Sequence, residues 1–136
     1  MMGPLYHFTV EMWYKGGMTT IPTPIPVDLA EVIAARFRVI GDQTRIRLLD
    51  QLRSGEASVG QLSDALGTSQ QNASKHLGVL HQAGIVARRK EGTSVLYAIA
   101  DASVFELCES VCGGIQAQLS ELSALMQGAS TQEVTR

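Results

Sequence analysis

"QQNASKHLGVLHQAGIVARRKEGTSVLYAIA" (Gln70–Ala100) changes its apolar period halfway along. Over Gln70–Gly84, Ala73, Leu77 and Leu80 recur at intervals of four and three, the spacing of one helix face. Gln70, Gln71, Asn72, Ser74 and Lys75 occupy the rest of that helix, and Gly84 stops it. From Ile85 onward the residues turn β-rich. "IVARRK" and "TSVLYAIA" flank Glu91-Gly92 as a hairpin, with Arg88, Arg89 and Lys90 expected at its tip. A polar-faced helix followed by a basic hairpin is the second helix and the wing of a winged helix-turn-helix.

The upstream sequence supplies three more helices. Asp28 is the expected N-cap of "LAEVIAARFRVIG", whose Leu29, Val32, Ile33, Phe37 and Ile40 fall at helical spacing before Gly41. Asp42 caps "DQTRIRLLDQLRSG", with Ile46, Leu48, Leu49 and Leu52 expected inward and Arg45, Arg47 and Arg53 mostly outward. "SVGQLSDALG" opens with a capping box of Ser58 and Gln61 and ends at Gly67. Ahead of them, Pro22, Pro24 and Pro26 forbid helix, so residues 1–27 form a Pro-rich arm whose disorder the composition allows. Met18 is an alternative start. Residues 28–126 then make one domain and residues 127–136 a polar tail.

Downstream of Ala102, Val104, Leu107, Cys108, Val111, Cys112, Ile115, Leu119, Leu122 and Leu125 repeat at three and four over several turns. That stripe is longer than one small core can cover. A second copy of the same helix is the simplest cover, which makes Val104, Leu107, Val111, Ile115, Leu119 and Leu122, with Leu29, Val32 and Ile33, the expected dimer interface.

The 136 residues allow one domain with an added arm, and 5% aromatic content describes a core of Leu, Val, Ile and Ala. No run of 18 apolar residues occurs and the N-terminus lacks the basic-then-apolar order of a signal peptide, so no membrane partner and a cytoplasmic location are expected, with the cysteines reduced. The net charge of −2 conceals a segregation. Residues 69–100 carry +3 (Lys75, Arg88, Arg89 and Lys90 against Glu91), while residues 101–136 carry −4. Absence of a Gly-rich phosphate loop, or of a nucleophile beside a plausible base, argues against an enzyme.

Two segments, "FRVIGDQTRIRLLDQL" and "VGQLSDALGTSQQNASKHLGVLHQAGIVARRKEGTSVLYAIAD", resemble the ArsR/SmtB group of small bacterial winged-helix repressors. The specific parts are D-x-T-R-x-x-L-L and S-K-H-L-x-x-L-x-x-A-G-I-V running into R-x-G-x-x-x-x-Y. The resemblance implies a mainly α fold with a small β-hairpin, in the order α1-α2-α3-α4-β-β-α5. It also implies a homodimer built on the first and last helices, and occupancy of double-stranded operator DNA that a ligand or a thiol change relieves.

For DNA contact, side-chain amides such as Gln70, Gln71 and Asn72 can pair bidentately with adenine, while Ser69, Ser74 and Lys75 suit phosphates or base edges. His76 suits a phosphate or a structural role. Arg88, Arg89 and Lys90 suit the DNA backbone or minor groove, with alternation turning Arg89 away from Arg88 so that one of the two braces the wing. The plain alternatives are a solvated helix face and a solvated hairpin.

The metal sites that the resemblance implies are vacant at matching positions. The thiolate motif E-L-C-x-C-D-L falls on Gln61-Leu62-Ser63-Asp64-Ala65-Leu66. The last-helix motif D-x-H followed by H-x-x-E meets Ser103, Gly114 and Ala117. Cys108 and Cys112 remain. At i and i+4 they share a helix face with Cβ atoms about 6 Å apart, close enough for one soft metal or metalloid ion, with further ligands from a partner or from His7. Oxidation across a dimer axis is a second reading. Core packing is a third, favoured by the apolar register and by Glu106 and Glu109, which disfavour a reactive thiolate. Without an input, the chain would be a constitutive repressor; a dimerisation module with a vestigial DNA face is the remaining rival.

Overall fold

The computed structural model describes residues 21–134, and side chains as far as residue 128. His7 and Met18 lie outside the described residues, as do the last two positions. Two units divide after Phe37.

In the first unit, the chain reaches α1 (Val27–Ile40) through the proline segment. The carbonyl of Pro26 accepts the Ala30 amide at 3.0 Å, so helix starts at once after the last proline. Asp28 therefore sits in the first turn rather than at the expected cap, its charge beside the helix's positive end. Val32 and Phe37 are exposed, and Leu29 and Ile33 are half-buried.

The second unit begins with the end of α1. Asp42 caps α2 (Gln43–Leu52): in extended backbone geometry, its Oδ1 accepts the Arg45 amide at 3.1 Å. Leu48, Leu49 and Leu52 are buried. Ile46, expected among them, is 44% exposed, because it lies about 110° around the axis from the centre of that set.

At the next helix, Gln61 N–H donates to Ser58 Oγ at 3.2 Å and Ser58 N–H to Gln61 Oε1 at 2.9 Å, the capping box of α3 (Val59–Leu66). Gly67, at φ 67°, ends it in the left-handed conformation that glycine tolerates. Ser69 then caps α4 (Gln70–Gln82), Asn72 N–H donating to its Oγ at 3.0 Å.

β1 (Ala57–Ser58), β2 (Val86–Glu91) and β3 (Ser94–Ile99) form an antiparallel sheet in the order β1-β3-β2. The two-residue β1 adds to the expected hairpin. The turn between β2 and β3 is Gly92-Thr93, with Gly92 at φ 62°. Arg88, Arg89 and Lys90 thus lie along β2 rather than at the expected tip, since the strand pairs on through Glu91↔Ser94.

Leucines of α2, α3 and α4 pack with Ile85, Val86, Tyr97 and Val104 into one core. Val104, placed by periodicity on the dimer seam, is 3% exposed within that core, and Leu107 packs against it. These opening turns of α5 (Ser103–Val134) cover the protomer's own leucines, so the unpartnered stripe starts at Val111. The helix of 32 residues, about 48 Å long, also runs through residues 127–134 of the expected tail.

The Asp42 cap gives a first prediction. Asp42→Ala should lower the unfolding free energy by about 1 kcal/mol at neutral pH in a denaturant titration, and Asp42→Asn by less. The Arg45 amide, then the charge of Arg45, hold the Asp42 carboxyl below its ordinary value. A depressed folded value means that this contribution is present at neutral pH and lost as pH falls through it. Stability of the Asn variant should lack that acid-side loss.

Candidate nucleic-acid interface

Ala73, Leu77 and Leu80 turn inward, which leaves Gln70, Gln71, Ser74 and Lys75 exposed over the first turns of α4. An uninterrupted outward row of two amides, a hydroxyl and an ammonium can meet base edges and a flanking phosphate when a helix enters a major groove. Lys75 has no ion pair among the described residues. Its charge is available to a phosphate.

Three neighbours make structural bonds, for His76 one of the two roles that the sequence allows. Asn72 is half-buried, and its Nδ2 donates to Thr68 Oγ1 at 2.9 Å, so this amide locks the turn ahead of the helix. His76 turns to the flank: its side chain is 13% exposed, with Nδ1 3.1 Å from Arg45 Nη1 and 3.8 Å from Asp42 Oδ1. The ring belongs to a contact between α4 and the start of α2, not to the outward row. Ser69 likewise spends its hydroxyl on the helix cap.

On the wing, pairing register separates the cations. Arg88 faces Tyr97 and Lys90 faces Val95 across the ladder, whereas Arg89 faces Leu96 on the other side. Arg89 reaches Glu56 with two nitrogens, and its Nη2 is 2.9 Å from Glu91 Oε2. Those carboxylates raise the Arg89 pKa, while the Arg89 hydrogen bond lowers that of Glu56. Arg89 ties β2 to the segment entering β1; Arg88 and Lys90 have no ion pairs among the described residues, and all three cations line a cleft with Val95 and Tyr97. The three outward cations Lys75, Arg88 and Lys90 therefore come from the recognition helix and the wing.

Of the two thiols, Cys108 is half-buried against the core and Cys112, one turn on, is exposed. Among the described residues, no group of three histidine, cysteine or carboxylate side chains could hold a metal ion. Ser63, within the stretch aligned to the family's thiolate motif, is 2% exposed and donates its hydroxyl to Gly60 O at 3.0 Å. No described helix is long and apolar enough to cross a membrane.

Sequence reasoning missed the Arg45–His76 contact, which joins residues 31 positions apart. The Glu56–Arg89 pair spans 33 and had only the alternation of β2 as a signal.

A family model described as bacterial regulatory protein, arsR family, matches residues 42–88. The regulator KmtR of Mycobacterium tuberculosis is 33% identical over 86 residues, 63% of this chain and 66% of its own length. Rv0081, an uncharacterised HTH-type regulator of the same organism, is 39% identical over 80 residues, 58% of this chain and 70% of its length. Its crystal structure superposes with a TM-score of 0.60 at 34% identity, covering 69% of this chain and 96% of that one. A homodimeric winged helix-turn-helix DNA-binding domain of Mb0332 from Mycobacterium bovis superposes at 0.59 and 30% identity, covering 65% and 82%.

Proposed function

The chain belongs to the arsR family of bacterial regulatory proteins, and from that premise we propose that two copies together occupy a two-fold symmetric operator and repress transcription. DNA-binding transcription regulation is the property of the family; dimer, operator symmetry and input are inferred for this chain. The observation that carries the reading is the common outward direction of Gln70, Gln71, Ser74 and Lys75 on α4, with Arg88 and Lys90 exposed on the wing and without ion pairs among the described residues. One helix per half-site would read base edges, and the wing would add phosphate contacts. Bound in this way, the protein excludes polymerase from the same stretch of duplex.

The dimer is supported by the stripe that α5 leaves uncovered: Val111, Ile115, Leu119, Leu122, Leu125 and Met126 are each more than half exposed. The Mb0332 domain, similar in fold, is described as homodimeric. A second α5 is apolar along the same stripe and buries both at once.

Regulation is proposed to enter through Cys108 and Cys112. Both lie where the protomer's core gives way to the unpartnered stripe, so an ion held there, with ligands from the second copy, would shift the spacing of the two recognition helices. A constitutive repressor is the second reading, favoured by the contact of Cys108 with the core. Operator binding by the wild type and by Cys108→Ser/Cys112→Ser separates them. With a thiophilic ion such as Cd²⁺, or with peroxide, the wild type should lose at least about tenfold in affinity and the double variant none. Identical responses of both proteins would leave the constitutive reading.

A further inference from the structure

We propose that Arg45 is a positioning residue for DNA recognition: its guanidinium holds His76 as a neutral imidazole protonated on Nε2, and thereby sets the rotation of α4 about its own axis. The proposal rests on the DNA-binding reading above and extends it to a residue on another helix.

Arg45 sits in the first turn of α2, directly after the Asp42 cap. Its Nε donates to the Val39 carbonyl and its Nη2 to the Arg38 carbonyl at 3.2 Å. Both are among the last carbonyls of α1, which have no partner within their own helix. The third nitrogen, Nη1, is 3.1 Å from His76 Nδ1. One planar fork thus spans the end of α1, the start of α2 and the middle of α4.

Chemistry fixes the direction of the last bond. An arginine is always protonated and offers only donors, so Nδ1 must accept and the ring proton must be on Nε2. Asp42 Oδ1, 3.8 Å from the same nitrogen, would favour the opposite arrangement but already accepts the Arg45 amide. The guanidinium is the nearer partner and decides the tautomer.

Position gives the bond its effect. His76 lies on the flank of α4, between the buried row of Ala73, Leu77 and Leu80 and the outward row of Gln71 and Lys75. Leucine packing resists translation of the helix but tolerates some rolling, because apolar contacts carry no direction. A directional bond on the flank removes that freedom. Rolling by one side chain's width would carry Gln71 and Lys75 off register with their base edges and phosphate, so Arg45 acts on specificity without touching DNA.

The test uses full-length protein, a bound operator duplex and a scrambled duplex of equal length. His76→Leu keeps the ring's bulk but not its acceptor, and it leaves the two carbonyl bonds of Arg45 intact. It should lower operator affinity about tenfold and scrambled-duplex affinity by less than about threefold. His76→Asn places an oxygen near the Nδ1 position and should recover most of the loss. Arg45→Met should match His76→Leu in the operator-to-scrambled ratio. In the wild type without DNA, long-range ¹H–¹⁵N correlation should show His76 Nδ1 unprotonated and Nε2 protonated, and Arg45→Met should abolish that preference. An Nδ1–H tautomer in the wild type would overturn the proposal, as would equal ratios for His76→Leu and wild type, or an Asn variant as impaired as the Leu variant. If no duplex is bound at all, the DNA-binding reading fails, while the tautomer measurement still decides the Arg45–His76 contact.

Discussion

Replacing Lys75, Arg88 and Lys90 together with alanine is expected to weaken operator binding at least about a hundredfold near 0.15 M salt. The three cations are exposed and outward, and without ion pairs among the described residues they need not break an internal contact to meet a phosphate. In a dimer the triple substitution removes six phosphate contacts. The slope of log affinity against log salt should become shallower by about five, because each contact releases close to one counterion. Arg89→Ala is the informative control. Arg89 is already bound to Glu56 and Glu91, so its loss should loosen the wing while changing the slope much less than Arg88→Ala does. An unchanged salt slope in the triple variant would remove the wing and Lys75 from the interface.

The second large effect concerns α5. Ile115→Glu with Leu119→Glu puts two carboxylates into the middle of a stripe that is 51% and 60% exposed at those positions in the single chain. Neither residue supports the protomer's core, which closes at Val104, Leu107 and Cys108. Thermal unfolding of the winged domain should therefore persist. The dimer should not, because four carboxylates buried without partners cost several kcal/mol. Sedimentation should report a monomer, and operator affinity should fall by about 10² to 10⁴, the gain that joins two half-site contacts into one event. A variant that stays dimeric would assign the seam to another surface.

Local chemistry made most of the fold legible in the sequence. The Ser58–Gln61 box, the Gly67 stop and the change of period at Gly84 each depend on residues within a few positions, and the chain adopts each as local rules require. Periodicity is silent on which partner an apolar residue meets. It places Val104 and Leu107 on one stripe with Val111 and Ile115, although the first turns bury in the protomer and only the remainder is left for a second copy. β1 has two residues and no period to detect. The start of α1 departs from the expected Asp28 cap because the first helical bond already runs from Ala30 to the Pro26 carbonyl, which leaves Asp28 inside the first turn.

The candidate interface divides in the same way. Outward Gln70, Gln71, Ser74 and Lys75 follow from the inward Ala73 and Leu77, a consequence of helical spacing alone. Residue type offers Asn72 to DNA, and Arg89 and His76 to DNA or to a structural role; Thr68, four residues back, gives Asn72 a structural bond, and distant partners give one to Arg89 and His76. Polar side chains on a binding face serve both ends. Only their distances to neighbours tell them apart.

Selection from a pool of randomised duplexes at about 0.15 M salt tests the central claim most directly. The full-length protein should enrich an inverted repeat whose half-sites are centred about 10 base pairs, or a multiple of it, apart, as two recognition helices on a two-fold axis require. Failure of any sequence to enrich, or enrichment of a single unrepeated half-site, would contradict it.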